Sequence, residues 1–332
     1  MAYTIKGAFD TFITEVVNLN SDRNARAKRS RDFLWDNLKS IANGDNIPTL
    51  YTDKMMYYGS FARHTKISPL DDIDMLVAYS GCGGTYEILQ DGSEYKINMP
   101  RGVKVLSDLC DCGELNSRKV VENLKQRIAA VPQYKNADLH RNQEAVTVQL
   151  LSYEWNFDIV PCFYTTSNFY LIPNGNGRWK ATNPIVDRDR LENANRQWNG
   201  RATTLIRLMK YWKRRKWCTQ LGSYPFEQLV LSFIESHFGR VYQEDISIAV
   251  RDCLYYLANF ITYPIWDPKG YQGDLNTLSI AERQQYSRIA DNDYQKAVHA
   301  MSCMELNDMF SAFTAWRKIF GDDFPKYGRT SL

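Results

Sequence analysis

Asp72 and Asp74 stand one residue apart in Ser68-Pro-Leu-Asp-Asp-Ile-Asp-Met-Leu-Val-Ala78. On a strand, side chains alternate with period two, so both carboxylates face the same way. Two such groups side by side repel each other and hold protons unless a cation compensates them. A divalent ion beside a triphosphate would do so. A third isolated carboxylate, Asp158, lies in a second apolar run, Trp155-Asn-Phe-Asp-Ile-Val-Pro161. Three acids of this kind suit metal-dependent nucleotidyl transfer, whose transition state spreads charge over phosphate oxygens and depends on positioning. Asp72 and Asp74 would hold the ion on the triphosphate, while Asp158 would complete a second site and favour ionisation of the attacking hydroxyl. Asp71 falls on the opposite strand parity and reads as a turn residue.

Three further elements fit the phosphate half of that chemistry. Gly59-Ser60 precedes the carboxylate pair by twelve residues. Glycine lets backbone approach phosphate closely, and Ser60 adds a hydroxyl donor. Lys210 lies in Leu205-Ile-Arg-Leu-Met-Lys-Tyr-Trp-Lys-Arg-Arg-Lys216. There Leu205, Leu208, Met209 and Trp212 make an apolar stripe, leaving Lys210 with Arg207 and Arg214 on a basic flank. Lys210 could meet a triphosphate, or the flank could be a solvated face whose charge suits the helix dipole. Ser223 opens Ser223-Tyr-Pro-Phe-Glu227, either as a helix cap or as a phosphate donor at the same helix end.

The elements that must position these residues divide into two kinds. Residues 4–40 read as one long helix or two joined near 18–22, closed by turn chemistry over 43–48. Strands are expected over 54–58, 72–79, 145–151 and 155–160, with a helix over 116–130. Residues 172–184 read as a polar loop, and helices are expected over 188–216, 225–238, 246–258, 281–299 and 302–320. Tyr79, near the end of the carboxylate strand, could stack on a base or fill the core.

Composition frames this reading. The chain of 332 residues is 44% apolar and 24% charged, with 21 Tyr, 15 Phe and 8 Trp, which suits a globular protein with a substantial core. A net charge of +3 neither demands nor excludes a polyanionic partner. Seven cysteines without zinc-type spacing read as reduced thiols and point to a cytoplasmic setting. No signal-type start and no run of 18 apolar residues is present, so secretion and membrane spanning are not expected.

Together the motifs resemble the DNA polymerase beta-type nucleotidyltransferase superfamily, and within it the bacterial cGAS/DncV-like nucleotidyltransferases (CD-NTases). The shared pattern is a Gly-Ser turn, here Gly59-Ser60, an Asp pair separated by one residue, here Asp72 and Asp74, and a later Asp158. The family's phosphate-binding lysine matches Lys210, its serine before an aromatic matches Ser223-Tyr224, and its interlobe connector resembles residues 177–184. A familiar Gly-Thr after the turn is His64-Thr65 in this chain.

The resemblance implies an α+β, bilobal fold: residues 1–180 a catalytic lobe with its N-terminal helix, and 181–332 a helical lobe completing a nucleotide cleft. It implies template-independent synthesis of cyclic di- or trinucleotides from ribonucleoside triphosphates in antiphage signalling. Magnesium, with manganese as substitute, would be the cofactor, and ATP is the expected substrate. The diffusible product would reach an effector, and no obligate nucleic-acid activator is expected, since the zinc-ribbon cysteines of the animal DNA sensor are missing. Two other readings stand beside it. A linear-oligonucleotide or RNA-tailing transferase would use the same centre, whereas a noncatalytic nucleotide-binding protein would not need the intact carboxylate trio.

Overall fold

The computed structural model describes residues 2–41, 47–89, 92–150, 153–216, 218, 220–237 and 245–328. Of the turn expected over 43–48, residues 43–46 therefore lie outside the described residues. In chain order the elements are α1 (Ile5–Phe12), α2 (Ser21–Ile41), β1 (Met56–Tyr58), α3 (Gly59–Ala62), β2 (Asp72–Tyr79), β3 (Thr85–Ile88), β4 (Tyr95–Asn98), β5 (Cys110–Asp111), β6 (Glu114–Leu115) and α4 (Ser117–Ala129). There follow β7 (Asp138–Asn142), β8 (Ala145–Gln149), β9 (Asn156–Tyr164), β10 (Tyr170–Pro173), β11 (Trp179–Thr182), α5 (Pro184–Gln197), α6 (Ala202–Arg215), α7 (Ser223–Glu235), α8 (Ile246–Phe260), α9 (Ile280–Glu305) and α10 (Met309–Phe320). The chain forms two compact units, one of Ser21–His64 and Leu70–Asp187, the other of Met1–Asn20, Thr65–Pro69 and Arg188–Leu332.

The first unit is built on a mixed sheet with strand order β1-β2-β9-β10-β11-β4-β6-β5, and β8 also pairs with β9. Its centre is the parallel pair β2 and β9, in register from Asp72 opposite Asn156 to Tyr79 opposite Phe163. Parallel strands need a long crossover, and that connection carries α4. Helix α4 starts on Asn116, whose side chain accepts the Arg118 and Lys119 amides, and it buries Val120, Val121, Leu124 and Ile128. On its far edge β9 is shared, with β8 along its first half and β10 along its second. Both strands are buried on both faces beyond their carboxylates, which explains the near-continuous apolar run Met75–Tyr79. Tyr79 is 1% exposed and lies 6.1 Å from the Phe163 ring. It is a core aromatic, so the base-stacking role is withdrawn.

Residues 172–184, expected as a loop, are instead largely the β10–β11 hairpin. Trp179 and Ala181 point into the core, and the Trp179 indole donates to the Leu115 carbonyl at 2.9 Å. Asn174 accepts the Asn176 and Arg178 amides, and Gly175 and Gly177 take positive φ, so turn chemistry here closes a hairpin. Two four-residue strands are too short for alternation to declare itself.

The second unit is helical. The early helix breaks where expected: α1 runs on through a π-helical turn over Ile13–Val17, and α2 begins at Ser21. Phe9 meets the rings of Trp316 at 4.9 Å and Phe324 at 5.1 Å, and Phe12 meets Tyr211 at 5.0 Å. Helix 188–216 is in fact two, because Asn199 and Gly200 adopt left-handed backbone between α5 and α6. Asn307 does the same between α9 and α10, and Asp308 then caps α10 by accepting the Ser311 amide. The short segment Thr65–Pro69 belongs to this unit, with the Ser68 amide bonded to the Val17 carbonyl and Ile67 against the helical core. Because Phe9 is fully buried among three aromatic rings, Phe9→Ala should cost about 3–5 kcal/mol of stability. Urea unfolding should show a lowered midpoint, and an unshifted midpoint would contradict this packing.

Candidate active site

Period-two alternation puts Asp72 and Asp74 on one face of β2, and the in-register pairing sets Asp158 of β9 beside Asp74. One oxygen from each of the three carboxylates lies within 4.8 Å of the others, and all three residues are half-buried. Unit charges 4 Å apart repel by about 4 kcal/mol at an effective dielectric of 20, so this face favours a bound cation. Oxygen-only donors of this kind suit a hard divalent ion. The described residues hold one such group of three.

The neighbouring strand explains the Gly-Ser turn. In the β1–β2 pair Tyr58 stands opposite Asp74, and Gly59 follows with φ of 73°. A Cβ on Gly59 would collide with the Asp74 carboxylate. Glycine is thus required twice, by the left-handed backbone and by the carboxylate pressed against it. Ser60 is half-buried in the single turn of α3. Burial, then the charges of Asp74, Glu144 and Asp158, hold the Tyr58 phenol protonated well above its usual range.

Asp158 has a partner that sequence reasoning missed. Thr147 faces it across β8 and β9, and its hydroxyl donates to Asp158 Oδ1 at 2.6 Å. In sequence Thr147 reads as one more β-branched strand former between Val146 and Val148. The available signal was its parity, opposite to those two valines.

Lys210 and Ser223 belong to the helical unit. The solvated-face reading of Lys210 fails, because the residue is 7% exposed. Its ammonium donates to Glu227 Oε2 at 2.9 Å and to the Thr65 carbonyl at 3.2 Å, and the Thr65 hydroxyl donates to the same Glu227 oxygen. Its flank is also engaged: Arg207 donates to Asn18 and Arg214 to the Ser68 carbonyl. One turn on, Lys213 donates to the Leu221 carbonyl, and burial followed by the Lys210 charge brings its pKa down to about 8. Ser223 is exposed at the first position of α7, where Gly222 is the cap residue and no side chain caps the helix. Of the two roles open to Ser223, helix cap or phosphate donor, the capping one is therefore absent.

The comparisons with known proteins agree with this geometry. Residues 97–195 match the Second Messenger Oligonucleotide or Dinucleotide Synthetase domain. The chain is 38% identical over 335 residues to a "probable cyclic nucleotide synthase" of Bacillus cereus (strain VD146), covering 98% of this chain and 99% of that protein. It is 25% identical over 195 residues to a cyclic AMP-AMP-AMP synthase of Acinetobacter sp. (strain ATCC 27244 / 9458), 57% of this chain and 56% of that one. In fold it is similar to E. coli MS115-1 CdnC with ATP, at a TM-score of 0.71 and 16% identity over 98% of this chain and all of that one. The same CdnC in complex with HORMA-deltaN matches with a TM-score of 0.69 and 17% identity, over 96% of this chain and 98% of that one. A mixed α/β catalytic portion with a helical C-terminal portion is the bilobal polymerase-beta-like arrangement. With a full-length relative at this identity and an acidic triad in place, the chain belongs to the bacterial CD-NTase family of metal-dependent nucleotidyltransferases that synthesise cyclic oligonucleotide second messengers.

Proposed function

We propose that the chain joins ribonucleoside triphosphates, ATP among them, into a cyclic di- or trinucleotide for antiphage signalling, without a template. The observation that carries this is the cluster of Asp72, Asp74 and Asp158 on adjacent parallel strands, their oxygens within 4.8 Å. These residues would hold magnesium, with manganese as substitute. When bound, such ions neutralise the triphosphate and favour ionisation of the attacking hydroxyl.

Asp72 and Asp74 are assigned to the donor triphosphate and Asp158 to the acceptor side. The acceptor hydroxyl oxygen bonds the donor α-phosphorus, and pyrophosphate departs with the broken P–O bond. Gly59 keeps the surface beside Asp74 free of side-chain bulk, and Ser60 offers a hydroxyl to phosphate. Lys210 is assigned to the triphosphate, with two of its three donors already on Glu227 and Thr65. Ser223, exposed at the start of the thirteen-residue helix α7, is assigned to phosphate as well. Cyclisation repeats the same step after the linear intermediate has reoriented its retained triphosphate toward the carboxylates. Among the described residues no helix is long and apolar enough to cross a membrane, and all seven cysteines are free, which supports a cytoplasmic place.

Asp74→Asn should keep the fold and nearly abolish turnover, and it should also weaken manganese binding measured by calorimetry. Full metal-supported synthesis by the Asp72→Asn, Asp74→Asn double variant would sink the assignment. Lys210→Ala removes the ammonium paired with the buried Glu227 carboxylate, which costs about 3–5 kcal/mol of stability. The folded variant is therefore judged by a ratio. ATP affinity should fall by about 1.5–3 kcal/mol while adenosine affinity holds, and an equal loss for both would remove Lys210 from the triphosphate. For the product, mass spectrometry after incubation with equimolar ATP, GTP, CTP and UTP should find phosphatase-resistant rings. Open-chain products alone, from fully active enzyme, would favour a linear or tailing transferase.

A further inference from the structure

Asp158 sits among three mutually repelling carboxylates, and a free carboxylate there would rotate away from the other two. The contact that opposes this is the Thr147 hydroxyl, 2.6 Å from Asp158 Oδ1. That distance is in the range of short, charge-assisted O–H···O⁻ bonds. Thr147 itself has little freedom. It is 4% exposed, its β-branch stiffens χ1, and β8 is held by β7 on one side and β9 on the other. The hydroxyl position is thus set by the sheet. A carboxylate has about four lone-pair sites, and this bond uses one, leaving the rest for a cation.

From this geometry we infer that Thr147 is a positioning residue: it fixes the Asp158 carboxylate before a divalent cation arrives and so sets the affinity of the ion that Asp158 holds. The inference rests on the assignment of Asp158 to a metal made above. Partners that orient a metal-binding carboxylate typically change metal affinity by 10–100-fold.

The test is calorimetric titration of manganese into the full chain saturated with α,β-methylene-ATP, which carries a non-reactive α,β bridge. Thr147→Val keeps shape and strand propensity while deleting the hydroxyl, and should weaken the lower-affinity manganese site by about 10-fold or more. Thr147→Ser restores the donor and should bind within about 3-fold of the parent. In an Asp158→Asn background, Thr147→Val should add no further loss. With ATP as substrate, the Val variant should need more manganese for half-maximal rate while its KM for ATP at saturating metal stays unchanged. Should the Val chain not fold, Thr147→Ala takes its place under the same thresholds. Parent-like manganese affinity in the Val or Ala variant overturns the inference, as does failure of Ser to rescue or an undiminished loss in the Asp158→Asn background. If Asp158→Asn alone leaves manganese binding intact, the metal role of Asp158 falls and this inference with it.

Discussion

Everything in the sheet-bearing unit answers to one electrostatic conflict, three carboxylates gathered on the edges of two adjacent parallel strands. Each close pair of charges costs about 4 kcal/mol at an intermediate dielectric. What holds them is apolar burial along the same strands. Ile73, Met75, Leu76 and Val77 of β2, with Phe157, Ile159 and Val160 of β9, are each at most 1% exposed. Large side chains of this kind contribute about 1.5–3 kcal/mol apiece, so these seven together offset a repulsion of that size. The strands hold the acids together, and their mutual repulsion is what a bound cation relieves. Placing β9 between β2 and the β8–β10 edge, rather than at a border, keeps its carboxylate from moving.

The helical unit solves a complementary problem. A buried ammonium is expensive alone, and Lys210 is stabilised by Glu227 and the Thr65 carbonyl, while the Thr65 hydroxyl bonds the same Glu227 oxygen. Such a pair gives little net stability, but losing either member strands the other. Its value is positional: the charge is held on stiff helices instead of a flexible stem. The same logic reaches Asp293, 1% exposed, which accepts the Trp212 indole and is paired with Lys216 and Lys296. Helix α6 thus sends polar groups into the interior at two levels, each matched by a carboxylate from another helix.

What could be read from sequence follows the range of the interaction. Asp72 and Asp74 declare their shared face through a period of two, and Gly59 marks a tight backbone, so both were legible locally. That Asp158 meets them depends on a parallel register closed across some eighty residues, which motif spacing implies and local patterning does not. Lys210 looked like surface because its partner Glu227 lies on a different helix, and a helical wheel counts only the helix it is drawn on. Thr147 was overlooked for a related reason: its parity marks a different face, but its importance is conferred by the residue opposite. The β10–β11 hairpin escaped because Asn174–Gly177 dominates the local composition, while Trp179 is buried by strands distant in sequence. Helix limits were missed where single residues, Asn199, Gly200 and Asn307, turn left-handed.

The division of the helical unit into three stretches of chain has a consequence for how the protein is made. Phe9 leaves the ribosome well before Trp316 and Phe324, the rings it packs on. At about 5–20 residues per second, roughly three hundred intervening residues take about 15–60 s to appear. Through that interval α1 presents Phe9 and Phe12 without their final neighbours, while the sheet-bearing stretch, contiguous save for five residues after Ser21, has already been translated. The nascent chain thus carries a sticky amphipathic tag ahead of a unit able to collapse first. The delay falls on α1 rather than on the strands that carry the carboxylates.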